Sequence, residues 1–148
     1  MVREAEYGDL DALLELYTHL HEKSVPEHDE HLEKTWDQIQ NDDKYHIIVC
    51  EENGMIVSSC TCIIVPNLTR TVRPYALIEN VVTHADHRKR GYAGMCLAFA
   101  KKIAEGENCY KLMLTTGSRE SSTLRFYENA GYSSKDKTAF TQWINMEY

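Results

Sequence analysis

The sequence predicts an α/β (α+β) fold in which one mixed, mostly antiparallel sheet contains a single parallel strand pair. Asn53-Gly54 separates two β-rich runs, a pattern typical of a hairpin and therefore of antiparallel strands. Residues 75–83, 92–106 and 111–115 then alternate as strand, helix and strand, the order that makes two strands parallel. With 148 residues and no internal repeat, the chain fits one domain, residues 1–148.

Capping residues and apolar spacing predict the N-terminal elements. Asp9 stands where it would cap a helix whose leucines recur on one face. Pro26 lies in a polar run that favours a loop, and Asp29 or Glu30 would begin the next helix. The predicted elements are a strand over 2–6, a helix from 10, a loop over 21–29, a helix from 30, and strands over 45–50 and 55–65.

In the C-terminal half, glycine and serine residues mark where the predicted helices begin and end. Tyr92 opens an amphipathic helix that Gly106 ends, and Ser121 or Ser122 would cap a shorter helix that reaches Asn129. A last strand is predicted after this helix. The predicted strands of this half are 75–83, 111–115 and 137–144.

Composition narrows the class of protein. Hydrophobic residues make up 43% of the chain and charged residues 26%, which is ordinary for a globular protein. No apolar run is long enough to span a membrane and the N-terminus lacks a signal-peptide core, so we expect a cytoplasmic protein. The formal net charge of −7 argues against a nucleic-acid partner. Five cysteines in apolar patterns are expected to be reduced core residues.

A strand-to-helix junction is the most specific feature. The run Val81-Val82-Thr83 leads into a basic loop, and Gly91 precedes the helix. Such a junction directs main-chain N–H groups and a helix N-terminus at one spot, which suits a phosphate or pyrophosphate. The alternative is a solvated basic loop without a ligand. The residues assigned to this cradle are Arg88, Lys89, Arg90, Gly91, Tyr92, Ala93 and Gly94.

A second motif, Phe126-Tyr127-x-x-x-Gly131-Tyr132, follows downstream. Together the two motifs resemble the GNAT superfamily of acyl-CoA-dependent N-acyltransferases. Cys109-Tyr110-Lys111 and Glu79 are also similar to features of the glucosamine-6-phosphate N-acetyltransferases. Two positions depart from those relatives: Asn80 stands where that group has a second acid, and residues 120–122 lack the asparagine that holds the pantetheine arm in many GNAT proteins.

The resemblance implies acetyl-CoA as co-substrate and no metal. It implies a twisted sheet with a central, splayed parallel strand pair and about four flanking helices. It places the pyrophosphate on the amides of residues 88–94 and the pantetheine arm along Val81, Val82 and Thr83. The N–H of Val82 would then be a natural donor to the oxyanion.

Two residues are candidates for proton transfer. Matching the family motif makes Tyr127 the general acid that protonates the leaving thiolate, whereas the alternative is an aromatic packed at a helix end. Glu79 stands in an apolar strand, where partial burial would suit a general base; the alternative is a rim glutamate paired with a cation. Phe126 is expected in the core or as a wall of the thioester site. Strand alternation would put Asn80 on the face opposite Glu79.

The acceptor is expected to be a primary amine of a small molecule: an amino sugar, polyamine, amino acid or aminoglycoside-like compound. Arg70, Arg73 or Lys111 could bind an acceptor phosphate. A non-catalytic acyl-CoA-binding or regulatory module, or an acetyltransferase acting on protein lysines or N-termini, remains the alternative. The resemblance also allows a homodimer. Four histidines lie where GNAT proteins commonly line the acceptor pocket, and a solvated loop is favoured over a metal site: His19, His21, His28 and His31.

Overall fold

The computed structural model describes residues 1–146, which divide into two compact units: residues 1–114, and the part from residue 115 onward. Over the described residues, no helix combines the length and the apolar character needed to cross a membrane. The elements of the first unit are β1 (Val2–Glu4), α1 (Leu10–Tyr17), α2 (Glu30–Gln40), β2 (Tyr45–Glu52), β3 (Met55–Val65), α3 (Thr69–Val72), β4 (Tyr75–Thr83), α4 (Tyr92–Gly106) and β5 (Leu112–Met113). The second unit contains α5 (Ser121–Asn129).

The first unit confirms the predicted fold class. Its five strands form one sheet in the order β1-β2-β3-β4-β5, and every pair is antiparallel except the parallel pair β4–β5. That parallel pair joins only Ala76 to Leu112 and Leu77 to Met113. Beyond Leu77, the edge of β4 therefore has no strand beside it within the described sheet. This is the splay that the resemblance implied.

A β-bulge lies in the middle of β4. Ser59 of β3 is opposite Val82 and Thr61 is opposite Glu79, so Cys60 alone faces two residues of β4, Asn80 and Val81. Asn80 has a φ of 50°, in the left-handed region that asparagine tolerates better than most residues. The extra residue shifts the alternation, so that Glu79 and Val82 lie on the same face of the sheet.

Two helical layers cover the two sheet faces. Leu13 and Leu16 of α1 and Trp36 of α2 pack with Val49 and Val82 on one face. On the other face, α4 packs against β2, β3 and β4. Its buried residues are Cys96, Leu97, Ala100 and Ala104. The core is therefore a sheet between two helix layers, as the apolar stripes predicted.

Helix starts show one confirmation and two differences, one of them at α5, where Glu120 rather than Ser121 or Ser122 is the N-cap residue. The Asp29 carboxylate accepts a hydrogen bond from the Leu32 N–H at 2.8 Å, which caps α2 as predicted. Asp9 precedes α1 but does not cap it. Its carboxylate instead binds the Arg3 guanidinium at 2.6 Å and accepts from the Glu6 N–H at 2.7 Å, because a nearby cation is the stronger partner.

Three strand predictions need correction. The first strand ends at Glu4 rather than residue 6, and β5 has only two residues. Residues 137–144 form no strand, because a run of suitable residues does not make one without a hydrogen-bonded neighbour; Phe140 is 94% exposed and Ile144 91%. With no sixth strand, the parallel pair lies at an edge of the described sheet rather than at its centre.

Candidate active site

The cradle predicted between β4 and α4 exists as an array of unused main-chain donors. Gly91 precedes α4 with a φ of 86°, and the first helical hydrogen bond runs from the Met95 N–H to the Gly91 carbonyl. Among the described residues, none of the main-chain N–H groups from 88 to 94 donates a hydrogen bond to the protein. Orphan N–H groups at a helix start attract anions, and the helix dipole adds to that attraction.

The space in front of these donors is open. A Cβ atom placed on Gly91 or Gly94 would meet nothing within 4 Å. Lys89 and Arg90 are exposed beside the array, and Lys89 has a φ of 62°. An accessible concave backbone with adjacent positive charge has the chemistry that binds phosphate oxygens, so the residues present fit a pyrophosphate.

The start of α4 is held by the β2–β3 hairpin. The Tyr92 hydroxyl donates a hydrogen bond to the Glu52 carboxylate. That hydrogen bond lowers the pKa of Glu52, where His87 and Arg90 add to the shift, and it raises the pKa of Tyr92. His87 Nδ1 lies 3.5 Å from Glu52 Oε2 without forming a hydrogen bond to any described residue, so this second contact is electrostatic.

The side chain of Arg88 is engaged by the protein. Its Nε donates to the Thr83 carbonyl at 3.3 Å and its Nη2 to the His19 carbonyl at 3.1 Å. The sequence led us to expect this guanidinium among the phosphate charges. In the structure it braces the loop, while the Arg88 N–H stays in the donor array.

The three residues assigned to the pantetheine arm form the end of β4, beyond the splay. Val82 is buried, and its carbonyl accepts from the Ser58 hydroxyl at 2.9 Å. Ser58 Oγ also lies 2.9 Å from Thr83 Oγ1, and the His84 N–H donates to the Val57 carbonyl at 2.8 Å. Hydrogen bonds to β3 therefore fix this end of β4, whereas the edge left open by the short β5 can accept an extended ligand.

Glu79 lies on the sheet face that α1 and α2 cover, opposite Thr61. Its side chain is exposed, so the partial burial expected from its apolar neighbours is not found. Tyr45 is close: burial first, and then the negative charge of Glu79, raise the pKa of Tyr45. Burial also raises the pKa of Tyr17 on the same face to about 12. In the register Glu79 is opposite Thr61 and Asn80 is opposite Cys60, so alternation separates these two residues and the extra residue of the bulge follows Asn80.

Phe126 and Tyr127 lie on α5 in the second unit. Both are half-buried, and their rings meet edge to face with centroids 5.0 Å apart. The Tyr127 ring also lies 6.4 Å from that of Tyr132. The role of this pair toward the thioester stays a prediction.

The cations considered for an acceptor phosphate cluster where β4 and β5 begin. Arg70 stacks over the Tyr110 ring at 5.4 Å, and Lys111 lies 5.2 Å from the Tyr75 ring centre. Arg73 donates to the Cys109 carbonyl at 3.1 Å.

The histidines near α2 do not gather into a ligand set. His28 Nε2 lies 2.7 Å from Asp11, and residues 21–31 are all exposed. Over the part of the chain that the structure describes, no three His, Cys, Asp or Glu residues are grouped to hold a metal ion.

Sequence reasoning missed the residues that hold the cradle. Glu52 is 40 residues from Tyr92, and His19 is 69 residues from Arg88. No local pattern reveals such pairs, because neither residue belongs to a motif and only the folded chain brings them together.

Comparisons with known proteins agree with this geometry. A model of the acetyltransferase (GNAT) family matches residues 10–132. A protein from Trypanosoma brucei brucei named glucosamine 6-phosphate N-acetyltransferase is 28% identical over 137 residues, which cover 92% of this chain and 90% of that protein.

Two solved structures share the fold. One, from Agrobacterium tumefaciens str. C58, is described as an acetyltransferase; it is 42% identical with a TM-score of 0.88, over 97% of this chain and 99% of that one. Glucosamine-6-phosphate N-acetyltransferase from Arabidopsis thaliana is 24% identical with a TM-score of 0.85 over 98% of both chains, a likeness of fold. The family match spans most of the chain, and the protein therefore belongs to the acetyltransferase (GNAT) family and is an N-acetyltransferase.

Proposed function

We propose that the protein transfers the acetyl group of acetyl-CoA to a primary amine of a small molecule. The observation that carries the proposal is the run of unpartnered N–H groups from residue 88 to residue 94, at the start of α4. The pyrophosphate of acetyl-CoA binds there, with Lys89 and Arg90 adding charge. Phe126 contributes a wall of the thioester site. No metal takes part.

The pantetheine arm lies along Val81, Val82 and Thr83 on the open edge of β4. Its amide groups pair with the strand as an additional strand would. The N–H of Thr83, rather than that of Val82 as predicted, then faces the thioester carbonyl and stabilises the oxyanion, because the main chain of Val82 points to β3. The short β5 supports this assignment, since it leaves the edge of β4 free beyond Leu77.

The reaction we propose is direct attack. The amine nitrogen forms a bond to the thioester carbonyl carbon, and the carbon–sulfur bond breaks. Glu79 accepts the proton lost by the amine, through a water or directly, and Tyr127 gives a proton to the leaving thiolate. The exposed position of Glu79 supports contact with an acceptor that enters from solvent.

Glucosamine 6-phosphate is the first acceptor to test, because the relative from Trypanosoma brucei brucei bears that activity in its name. The formal charge of −7 instead favours a cationic amine, so polyamines and aminoglycosides belong in the same panel. The cluster of Arg70 and Lys111 offers positive charge to a phosphorylated acceptor.

The decisive experiment is calorimetric titration with acetyl-CoA, followed by thiol-release assays on this amine panel and on lysine-containing peptides. Thiol release with one amine supports the transferase and names its substrate class. Release only with peptides indicates a protein acetyltransferase. Binding without release for any acceptor favours a non-catalytic acyl-CoA-binding or regulatory module, and no binding refutes the proposal.

We also propose that residues 1–148 act as one domain, since the family match at 10–132 runs through both compact units. A homodimer is supported by the exposed apolar side chains of residues 137–144, among them Phe140 and Ile144. Light scattering of the purified protein tests that assembly. The five free cysteines support a location in the reducing cytoplasm.

A further inference from the structure

His19 joins the end of α1 to the cradle. Its carbonyl accepts a hydrogen bond from Arg88 Nη2 at 3.1 Å, and its Nδ1 accepts one from the Ala85 N–H at 3.3 Å. Both donors belong to the loop that carries the predicted pyrophosphate site. Arg88 also places a positive charge at the C-terminal end of α1, where the helix dipole favours it.

The imidazole ring of His84 packs against that of His19. The rings of His19 and His84 lie with centroids 4.0 Å apart. His84 Nδ1 accepts from the Asp86 N–H at 3.1 Å, so each ring binds a main-chain donor of the same loop. A ring nitrogen accepts only when it carries no proton, so this geometry selects the tautomer of His19 with its proton on Nε2.

The other side of His19 leads into the exposed segment of residues 21–29. GNAT proteins commonly line the acceptor pocket with this region, and here all of its residues are exposed. His19, two residues beyond the end of α1, therefore touches the cofactor loop and lies two residues before the acceptor-side segment.

We propose that His19 is a positioning residue: it aligns the donor array of residues 88–94 and couples acetyl-CoA binding to the ordering of residues 21–29. The inference rests on the proposed function. His19 need not touch either substrate, since it acts through the Ala85 N–H and the Arg88 guanidinium.

Three variants of residue 19 separate this role from simple packing. His19→Asn keeps an acceptor atom near the position of Nδ1, His19→Gln moves it outward, and His19→Ala removes it. Lys34→Ala, at an exposed residue of α2 to which no role is assigned, is the control. For each protein, calorimetry gives the Kd for acetyl-CoA, and hydrogen exchange with and without acetyl-CoA follows residues 21–29.

Loss of one hydrogen bond predicts a Kd about three- to tenfold higher for His19→Ala and His19→Gln. Both should lose the cofactor-dependent protection of residues 21–29, whereas His19→Asn and Lys34→Ala should match the wild-type protein. Melting without ligand reports any loss of packing, and the Asn–Gln comparison stands even if the Ala variant is unstable.

Two results would overturn the inference alone: acetyl-CoA binding and protection in His19→Ala equal to wild type, or an Asn variant no better than the Gln variant. A wild-type protein that does not bind acetyl-CoA would instead overturn the proposed function, and this inference with it. The two failures are thus distinguishable in one data set.

Discussion

The hydroxyl of Tyr92, the first residue of α4, donates a hydrogen bond to the carboxylate of Glu52 at the end of β2. This contact links the start of α4 to the β2–β3 hairpin. His19, near the end of α1, contacts the loop that precedes α4 through Ala85 and Arg88. The donor array is therefore held by the protein itself rather than by a ligand. Substitutions within the array should change binding more than folding.

Gly91→Ala should weaken acetyl-CoA binding by about tenfold, because a methyl group enters the open space where the pyrophosphate approaches the backbone. Gly54→Ala is a matched control: Gly54 has a φ of 79° and equally open surroundings in the hairpin turn. Each change should cost roughly 1 kcal/mol of stability from backbone strain. Calorimetry measures the loss of acetyl-CoA affinity and urea unfolding measures the loss of stability. Equal affinities for the two variants would show that the pyrophosphate does not bind at Gly91.

Tyr127→Phe should lower kcat by about 100-fold, the low end of general-acid effects, because proton transfer from a phenol to a thiolate is mildly uphill. The Kd for acetyl-CoA should not change. Tyr132→Phe removes a hydroxyl from the neighbouring ring and serves as the control. Full activity of Tyr127→Phe across the pH range would remove Tyr127 from the mechanism.

Glu79→Gln should reduce kcat/KM for the amine about 100-fold, because the amide cannot accept the proton of the attacking nitrogen. Glu105→Gln, at an exposed residue paired with Lys101 on α4, should behave as wild type. Steady-state kinetics of both variants provide the test, and an unchanged kcat/KM in Glu79→Gln would exclude Glu79 as the base.

Asp9→Asn should destabilise the fold by about 1–3 kcal/mol at neutral pH, the usual worth of hydrogen bonds to a charged group. The hydrogen bond from Arg3, with that from the Glu6 N–H, lowers the pKa of Asp9 in the folded state. Its stabilisation is thus complete above the unfolded value of about 3.9 and disappears as the pH falls toward the folded value. Urea unfolding should show the wild-type advantage at pH 7 shrinking in acid.

The exposed pair of Glu30 and Lys34, with Nζ and Oε1 2.7 Å apart, supplies the control for that experiment. Glu30→Gln should change stability by less than about 0.5 kcal/mol, because solvent screens the pair. An Asp9→Asn effect that is equally small, or constant with pH, would show that the Arg3 contact contributes little.

The four buried cysteines should resist thiol reagents in the folded protein at pH 8, leaving only the half-buried Cys109 to react slowly. Burial raises the pKa of Cys62 and of Cys96 to about 12, and it raises the pKa of Cys60 as well. Ellman's reagent with and without guanidinium tests this. Rapid reaction of several thiols without denaturant would contradict the packing and would also disturb the thiol-release assay.

Much of the fold was predictable because its signals are local. Asn53-Gly54 marked the hairpin, Asp29 marked the start of α2, and Gly91 marked the junction before α4, and each acts through the backbone angles or caps of its own neighbourhood. The strand predicted over residues 137–144 failed for the opposite reason. A strand needs a hydrogen-bonded neighbouring strand, and the residues of the segment itself do not supply one.

The sequence by itself determined the family, the strand–loop–helix junction and the residue types that its chemistry needs. Only the tertiary structure decided that Asn80 forms a bulge, that Glu79 is exposed, and that Arg88 binds the carbonyls of Thr83 and His19. Local motifs depend on a few adjacent residues and can be read along the chain. The environment of a side chain depends on distant segments, which meet only when burial of the core brings them together.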